Sequence, residues 1–301
     1  SESIINQSSI LVKGVYKKLT FIKPDLLLLL GDRFEIFVTA YASLLMNIPI
    51  AHIHGGEITT GSIDNVFRFA ISKMSNLHFV ATKKSKARLI KNDMNKKKVY
   101  IVGSPSISDL KNVKFHSKEY LEKILQFTFQ KKNILVTLHP TTKEKIDYKN
   151  QIRILLRSLK SFKDIGIIFT QPSNDIGSKY FISQVKKFVK NNQNCIFVNS
   201  LGRESYLSCL KNIDVVVGNS SSGIIEAPSL GCKSLNIGNR QSGREQAESV
   251  INSPYDCNEI ITKLKVSINK NKKEKYLNPY FFKNTNFKIL TILKKHFSSK
   301  I

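Results

Sequence analysis

Short apolar runs that alternate with helical patterns limit the fold of this sequence more than any other feature. An apolar run of roughly four to eight residues between turn signals predicts a buried strand, and strands that alternate with helices predict a parallel sheet. Such runs lie at 25–31, 48–53, 77–82, 99–103, 133–139, 165–171, 195–200, 215–220 and 233–238. The sequence therefore predicts an α/β protein.

These predicted strands are too many for one compact sheet, and the polar stretch 111–131 has the composition of a linker. We therefore expect two doubly wound, Rossmann-like domains, which span residues 1–112 and 113–281. A C-terminal helix at 282–301 is expected to pack back on the first domain.

The net charge of +26 raises the question of nucleic-acid binding. Lysines are spread along the whole chain among Asn and Ile, with no basic stripe interleaved with aromatic residues and no known nucleic-acid motif. We therefore expect no nucleic-acid partner. A basic site for an anionic small molecule fits this composition.

Two further features concern the compartment. No apolar run approaches the roughly 20 residues needed to cross a bilayer, and the N-terminal residues lack the pattern of a signal peptide. The four cysteines are scattered, without a C-x-x-C pair or a metal-ligand spacing. We therefore expect a reduced, cytoplasmic protein with no membrane partner and no bound metal.

Polar residues and glycines gather after the apolar runs, where parallel α/β sheets bind their ligands. Asp32 directly follows the first run. Because Asp is a good helix cap and Glu35 stands three residues later, capping is one explanation for Asp32 and acid chemistry is the other. Arg33 can neutralise Asp32 or contact a phosphate.

The stretch "HIHGGEITTGSIDNVFRFA" at 52–70 places His54 and Glu57 at the next predicted strand end. The two glycines between them allow the backbone to approach a ligand closely. A histidine satisfied by backbone groups is the alternative for His54. Asp64 and Arg68 stand at i and i+4 of a predicted helix, where they either form a surface ion pair or face a ligand together.

The stretch "GNSSSGIIEAPSLG" at 218–231 predicts a strand end, a serine-rich turn and a helix that opens near Ile224. Backbone N–H groups and serine hydroxyls there can cradle an anion, although the pattern differs from the known phosphate-loop and dinucleotide motifs. Glu226, expected in the first helical turn, either favours the helix dipole or accepts hydrogen bonds from ribose. Arg240 and Arg244 are suited to a pyrophosphate.

A family resemblance rests on these motifs. The sequence closely resembles the hydrolysing UDP-N-acetylglucosamine 2-epimerases, which make N-acetylmannosamine for sialic acid, in the ordered stretches "LGDRFEI", "IPIAHIHGGEITTGSIDNVFRFAISKMSNLHFVAT", "VGNSSSGIIEAPSLG" and "NIGNRQSGR". The similarity covers most of residues 20–290 and includes "NPYF". It implies a glycosyltransferase-B-like fold with the ligand cleft between two Rossmann-like domains, a nucleotide-sugar substrate, and a cytoplasmic homodimer.

The resemblance also implies roles for individual residues. Asp32, Glu57 and Asp64 match the acidic positions linked to catalysis. His139 matches a histidine that contacts the nucleotide-sugar near its phosphates, and Arg68 matches an arginine of the wider epimerase group. The expected substrate-binding set is His54, Arg68, His139, Asn219, Ser220, Ser221, Ser222, Gly223, Glu226, Arg240 and Arg244.

The implied reaction eliminates UDP across C1–C2 to give a glycal, which water then hydrates to N-acetylmannosamine. A base must take the C2 proton and an acid must return one from the opposite face. This scheme needs no metal, NAD or other cofactor. Alternatives are a related epimerase for a UDP-diacetamido-trideoxy sugar or GDP-linked N-acetylglucosamine, a glycosyltransferase, and an inactive nucleotide-sugar-binding fragment.

One departure from the family concerns the start of the chain. Family members begin with a strand and a Gly/Arg loop, whereas this sequence starts within what corresponds to a later helix. We expect the first domain to lack about 70–80 residues, the length of two βα units. The chain is therefore expected to show little or no turnover, and the second domain is expected to keep some UDP affinity.

Overall fold

The structure is a computed structural model and describes residues 2–141, 144–173, 175–269 and 276–297. The chain forms two compact units. Unit 1 comprises Ser1–Ser108 and Pro279–Ile301, and unit 2 comprises Asp109–Asn278. The last residues of the expected helix at 282–301 lie outside the described residues.

The strands occur at nearly the predicted positions. They are β1 Leu27–Leu30, β2 Ile50–Ile53, β3 Leu77–Val80, β4 Val99–Ile101, β5 Asn133–Thr137, β6 Gly166–Thr170, β7 Cys195–Val198, β8 Val215–Gly218, β9 Lys233–Ile237 and β10 Val250–Ser253. Strand β10 was not predicted from the sequence. Half of this short edge strand is polar, so it lacks the apolar run that marks the others.

Helices follow most of the strands, as the alternating pattern predicts. They are α1 Glu2–Ile22, α2 Phe34–Leu45, α3 Asp64–Met74, α4 Lys83–Lys91, α5 Pro105–Ser108, α6 Lys118–Leu125, α7 Tyr148–Leu159, α8 Ser178–Lys190, α9 Gly202–Asn212, α10 Ser222–Ile225, α11 Cys257–Asn269 and α12 Thr285–Phe297. No helix among the described residues is both long and apolar enough to span a membrane.

Unit 1 contains a parallel sheet with the strand order β1-β2-β3-β4. Strands β2 and β3 are buried along their whole length, which explains their nearly continuous apolar sequence. One face packs against Ile289 of α12, and the other packs against Ile71 of α3. This burial fixes the strand ends, and with them the polar residues that follow.

Strand β1 is the edge of this sheet in the described part of the chain. Its Leu28 and Leu30 are 47% and 53% exposed, although the sequence of β1 is entirely apolar. Such an edge offers unpaired backbone groups together with apolar side chains, a combination that favours association with other strands.

Unit 2 contains a parallel sheet with the strand order β7-β6-β5-β8-β9-β10. The chain starts this sheet at β5, builds outward to β7 and returns to place β8 on the other side of β5. The order therefore reverses between β5 and β8. In doubly wound sheets ligands bind outside the carboxyl ends of the strands at such a reversal.

The polar stretch 111–131 is not the linker that its composition suggests. It contains α6, whose Leu121 is fully buried, and it adds Phe127 and Phe129 to the core of unit 2. Alternation of these apolar residues with lysines gives a polar composition, but the buried side of the segment is apolar. The segment therefore belongs to unit 2.

Candidate active site

Asp32 follows β1 directly, but it does not cap the next helix. The N-cap residue of α2 is Arg33, and its side chain makes no capping hydrogen bond. The Asp32 carboxylate instead forms an ion pair with the Arg68 guanidinium. Arg33 pairs with Glu35, with 3.1 Å between Nε and Oε2. Asp32 therefore does not cap α2, and its ion-pair partner is Arg68.

Arg68 of α3 is 3% exposed, and its Nη1 also donates to Thr59 Oγ1 at 3.2 Å. Asp64, the first residue of α3, accepts a hydrogen bond of 3.0 Å from Ser62 Oγ. Arg68 therefore joins the end of β1 to the loop that follows β2 and is not merely a partner for its own helix. The buried guanidinium keeps a positive charge next to Asp32.

His54 and Glu57 form a second pair after β2, in which Glu57 is buried and His54 is half-buried. The distance between His54 Nδ1 and Glu57 Oε1 is 2.5 Å, and His54 Nε2 lies 3.1 Å from Ser104 Oγ. The backbone of His54 is left-handed, with φ of 68°, which is rare for a residue with a side chain. A Cβ at Gly56 would meet Ser85 O at 2.3 Å, so this turn requires a glycine.

Sequence reasoning missed a buried histidine that supports Asp32. His52 is 0% exposed; its Nε2 lies 2.8 Å from Gly31 O and its Nδ1 lies 3.0 Å from Ser72 Oγ. Because a carbonyl only accepts, Nε2 carries the proton and Nδ1 accepts from Ser72. Burial lowers the pKa of His52 to about 3, so the ring is neutral and fixes the peptide before Asp32. Its position in the "HIHGGE" motif was the available signal.

In unit 2, His139 and Asn219 join the two strands at the reversal of strand order. Asn219 Oδ1 accepts from His139 N at 2.7 Å, and Asn219 Nδ2 donates to His139 O at 2.8 Å. His139 Nδ1 accepts from Ser173 N at 3.1 Å. Since Nδ1 accepts from a backbone N–H, the proton of the neutral ring lies on Nε2. His139 therefore carries a hydrogen-bond donor at this strand edge.

The serine turn, which consists of Ser220, Ser221 and Ser222, directly follows Asn219. Gly218 makes this path possible: its φ is 129°, and a Cβ there would lie 2.0 Å from Thr137 O. Ser222 Oγ contacts Tyr206 OH and lies 3.3 Å from Ser220 Oγ. Tyr206 is therefore a supporting residue that the sequence analysis did not identify.

The helix after this turn differs from the prediction. Helix α10 begins at Ser222, with Ser221 as its N-cap, and ends at Ile225. Glu226 follows the helix and begins a 3₁₀ turn, so it is not in the first helical turn. Since α10 has only four residues, a helix dipole explains neither Glu226 nor an anion site. Gly223 is buried in this helix.

The two arginines after β9 hold different positions. Arg240 Nη1 donates to Asn219 O at 3.2 Å, next to the hydrogen bond of 2.8 Å that Gln241 Nε2 donates to the same oxygen. Arg244 is partly buried, and its backbone N–H donates to Gln241 O. Arg240 thus places positive charge beside the start of the serine turn. Among the described residues, no group of three or more His, Cys, Asp or Glu side chains is arranged to hold a metal ion.

Two Rossmann-like α/β units have an acid–arginine pair and an acid–histidine pair after the strands of one and a serine turn at the strand reversal of the other, and they define a protein with a glycosyltransferase-B-like fold. The predicted α/β fold with two Rossmann-like domains is confirmed. A sequence model of the UDP-N-acetylglucosamine 2-epimerase family matches residues 1–294. The chain belongs to this family, as the sequence motifs predicted.

Curated relatives are similar over most of the chain. The GDP/UDP-N,N'-diacetylbacillosamine 2-epimerase (hydrolyzing) of Campylobacter jejuni is 37% identical, over 81% of this chain and 64% of the relative. The UDP-N,N'-diacetylbacillosamine 2-epimerase (hydrolyzing) of Legionella pneumophila is 35% identical, over 90% of this chain and 71% of the relative. The polysialic acid biosynthesis protein P7 of Escherichia coli is 35% identical, over 92% of this chain and 71% of the relative. The chain thus spans about two thirds of the length of these relatives.

A solved structure shows the same fold. The UDP-GlcNAc 2-epimerase of Neisseria meningitidis, crystallised with UDP-GlcNAc, superimposes with a TM-score of 0.81 at 21% identity. The match covers 97% of this chain and 82% of that one.

Proposed function

We propose that this protein is a hydrolysing nucleotide-sugar 2-epimerase that converts a UDP-linked 2-acetamido sugar into UDP and the C2-inverted free sugar. The proposal rests on two partly buried contacts after β1 and β2, Asp32 with Arg68 and His54 with Glu57. Acids and a histidine held at adjacent strand ends are the groups that proton transfer at a sugar carbon requires.

We assign the binding of the nucleotide to unit 2. Ser220, Ser221 and His139 would donate hydrogen bonds to the diphosphate, and Arg240 would neutralise part of its charge. Asn219 supports this assignment, because its side chain and carbonyl tie β5, β8 and Arg240 to one point. Glu226 is assigned to the ribose hydroxyls, and Arg244 to the pyrophosphate.

Unit 1 is assigned the chemistry at the sugar. In the first step the C2–H bond breaks, its electron pair forms the C1=C2 bond, the C1–O bond breaks, and UDP leaves with that electron pair. In the second step C2 gains a proton from the opposite face and C1 gains the hydroxyl of water. Asp32, Glu57 and Asp64 are the proposed acid and base groups, and Arg68 offsets the negative charge that they bring together.

The names of the relatives give two candidates for the sugar of the substrate. Relatives at 37% and 35% identity are named for diacetylbacillosamine, whereas another at 30% identity, from Neisseria meningitidis, is named UDP-N-acetylglucosamine 2-epimerase. UDP-N-acetylglucosamine, with N-acetylmannosamine as the product for sialic-acid-type synthesis, and a UDP-linked diacetamido sugar are therefore the two candidates. The higher identities favour the diacetamido sugar.

A substrate panel distinguishes these candidates. The chain would be incubated with UDP-N-acetylglucosamine, with UDP- and GDP-linked diacetamido-trideoxy sugars, and with GDP-linked N-acetylglucosamine. Released nucleotide and free sugar would be followed by NMR. Faster turnover of the UDP-diacetamido sugar is expected. Nucleotide binding without turnover of any sugar would favour a non-catalytic nucleotide-sugar-binding protein, and sugar transfer to an added acceptor would favour a glycosyltransferase.

The assembly and location follow from the family resemblance alone. We propose a cytoplasmic homodimer. Light scattering on the purified chain tests the assembly, and a monomer at micromolar concentration would contradict it.

A further inference from the structure

The contacts around His54 connect its ring to three polar side chains, those of Glu57, Ser104 and Ser106. Glu57 Oε1 lies 2.5 Å from His54 Nδ1, and Ser104 Oγ lies 3.1 Å from His54 Nε2. Ser104 Oγ in turn lies 2.9 Å from Ser106 Oγ. Both ring nitrogens therefore have a defined partner, and the ring plane is fixed.

The partners determine which ring nitrogen carries the proton. An ionised carboxylate only accepts hydrogen bonds, so Nδ1–H of His54 donates to Glu57. In the neutral ring Nε2 then has the lone pair, and the Ser104 hydroxyl donates to it. This is the tautomer of a base at Nε2, and the carboxylate at Nδ1 stabilises the imidazolium that forms when Nε2 takes a proton.

Burial separates the roles of the two ionisable groups. The side chain of Glu57 is 2% exposed, whereas that of His54 is 14% exposed. A substrate that enters from solvent can therefore reach His54, but Glu57 lies behind it.

The backbone holds His54 at this place. Its N–H donates to Phe79 O at 3.0 Å, and its left-handed conformation turns the chain at the end of β2. Arg88 of α4 donates to Gly56 O at 3.3 Å and anchors the turn from the other side. A conformation that is sparsely populated for residues with side chains is retained here by these surrounding contacts.

We infer that His54 is the base that takes the C2 proton through Nε2, and that Glu57 is a positioning residue that acts through His54. The inference rests on the proposed function and changes the role of Glu57 within it. In the elimination step the proton passes from C2 to Nε2, the C2–H electron pair forms the C1=C2 bond, and the C1–O electron pair leaves with UDP. The substrate C2–H takes the place of the Ser104 hydroxyl at Nε2.

Nitrogen-15 NMR of the histidine side chains tests the tautomer without any turnover. The His54 signals are assigned as those absent from the His54→Gln variant. We expect neutral His54 to carry its proton on Nδ1, because Nδ1 faces the Glu57 carboxylate and Nε2 faces the Ser104 hydroxyl. A proton on Nε2 of neutral His54 would overturn the inference even in a chain that turns over no sugar.

Kinetics with the full chain test the catalytic role. Glu57→Gln should lower kcat about 10²-fold with little change in KM, and should shift the acid limb of the pH–rate profile to lower pH. His54→Gln should lower kcat at least as much and remove that limb. Asp93→Asn, which removes an exposed carboxylate of the same unit, is the matched control and should stay within about two-fold. Loss of activity in Glu57→Gln without a shift of the profile would assign Glu57 a structural role only.

Discussion

At the scale of the residue, the ion pair with Arg68 stabilises the position of the Asp32 carboxylate. The pair joins the end of β1 to α3, and the guanidinium is 3% exposed. Removing one partner of a buried pair costs about 3–5 kcal/mol, and because the Asp32 side chain is 19% exposed we expect the lower end for Arg68→Ala. Urea unfolding followed by circular dichroism measures this.

Arg33→Ala is the matched control, since Arg33 pairs with Glu35 where both side chains are more than 40% exposed. Its loss should change the free energy of unfolding by less than about 1 kcal/mol. Equal effects in the two variants would show that the Asp32–Arg68 pair is no stronger than a surface pair. The sequence placed Asp32 and Arg68 in one site, but it did not predict their contact. Because the two partners are 36 residues apart in the sequence, no local spacing pattern predicts their contact.

At the scale of the element, Gly218 sets the path from β8 into the serine turn. A Cβ there would lie 2.0 Å from Thr137 O on β5, and φ is 129°. We expect Gly218→Ala to push β8 away from β5, to lower the free energy of unfolding by about 3 kcal/mol or more, and to abolish UDP binding. Thermal unfolding and calorimetric titration of UDP measure both effects.

Gly14→Ala is the control on the other unit. Gly14 lies inside α1 with open space around its Cβ position. Alanine should stabilise that helix by about 0.5–1 kcal/mol and leave UDP binding unchanged. A harmless Gly218→Ala variant would mean that the strand reversal tolerates a displaced turn.

Strands buried on both faces were predicted well from sequence, because burial on both faces leaves a continuous apolar run. Strand β10 and the short α10 were not. The first has polar residues at a sheet edge, and the second stops after one turn, where Pro228 follows in a 3₁₀ segment. Neither effect has a periodic signal in sequence.

At the scale of the whole molecule, two buried histidines make stability depend on pH. Burial lowers the pKa of His52 to about 3 and that of His78 to about 4, below the value of 6.5 in the unfolded chain. Above pH 6.5 the two histidines are neutral in the folded and in the unfolded state. Below pH 6.5 they take up protons only in the unfolded state. The free energy of unfolding should therefore decrease as the pH is lowered from 6.5 to 4, by up to about 1.4 kcal/mol per pH unit for each histidine.

The free energy of unfolding, measured in urea at pH 7.5 and at pH 5, checks this expectation. Between these values His78→Leu should lose about 2 kcal/mol less stability than the unchanged chain, because one of the two protons is no longer gained on unfolding. The same pH slope in both proteins would contradict a neutral, buried His78.

The most direct test of the epimerase assignment is a single-turnover reaction in deuterium oxide, with the full chain in excess over UDP-N-acetylglucosamine or the UDP-diacetamido sugar. An excess of protein makes even slow chemistry visible. We predict that UDP is released together with a free sugar that is inverted at C2 and carries deuterium there, because elimination discards the original C2 proton and hydration supplies a new one from solvent. Release of no UDP from either sugar, or release of a sugar that keeps its C2 configuration and protium, would contradict the account.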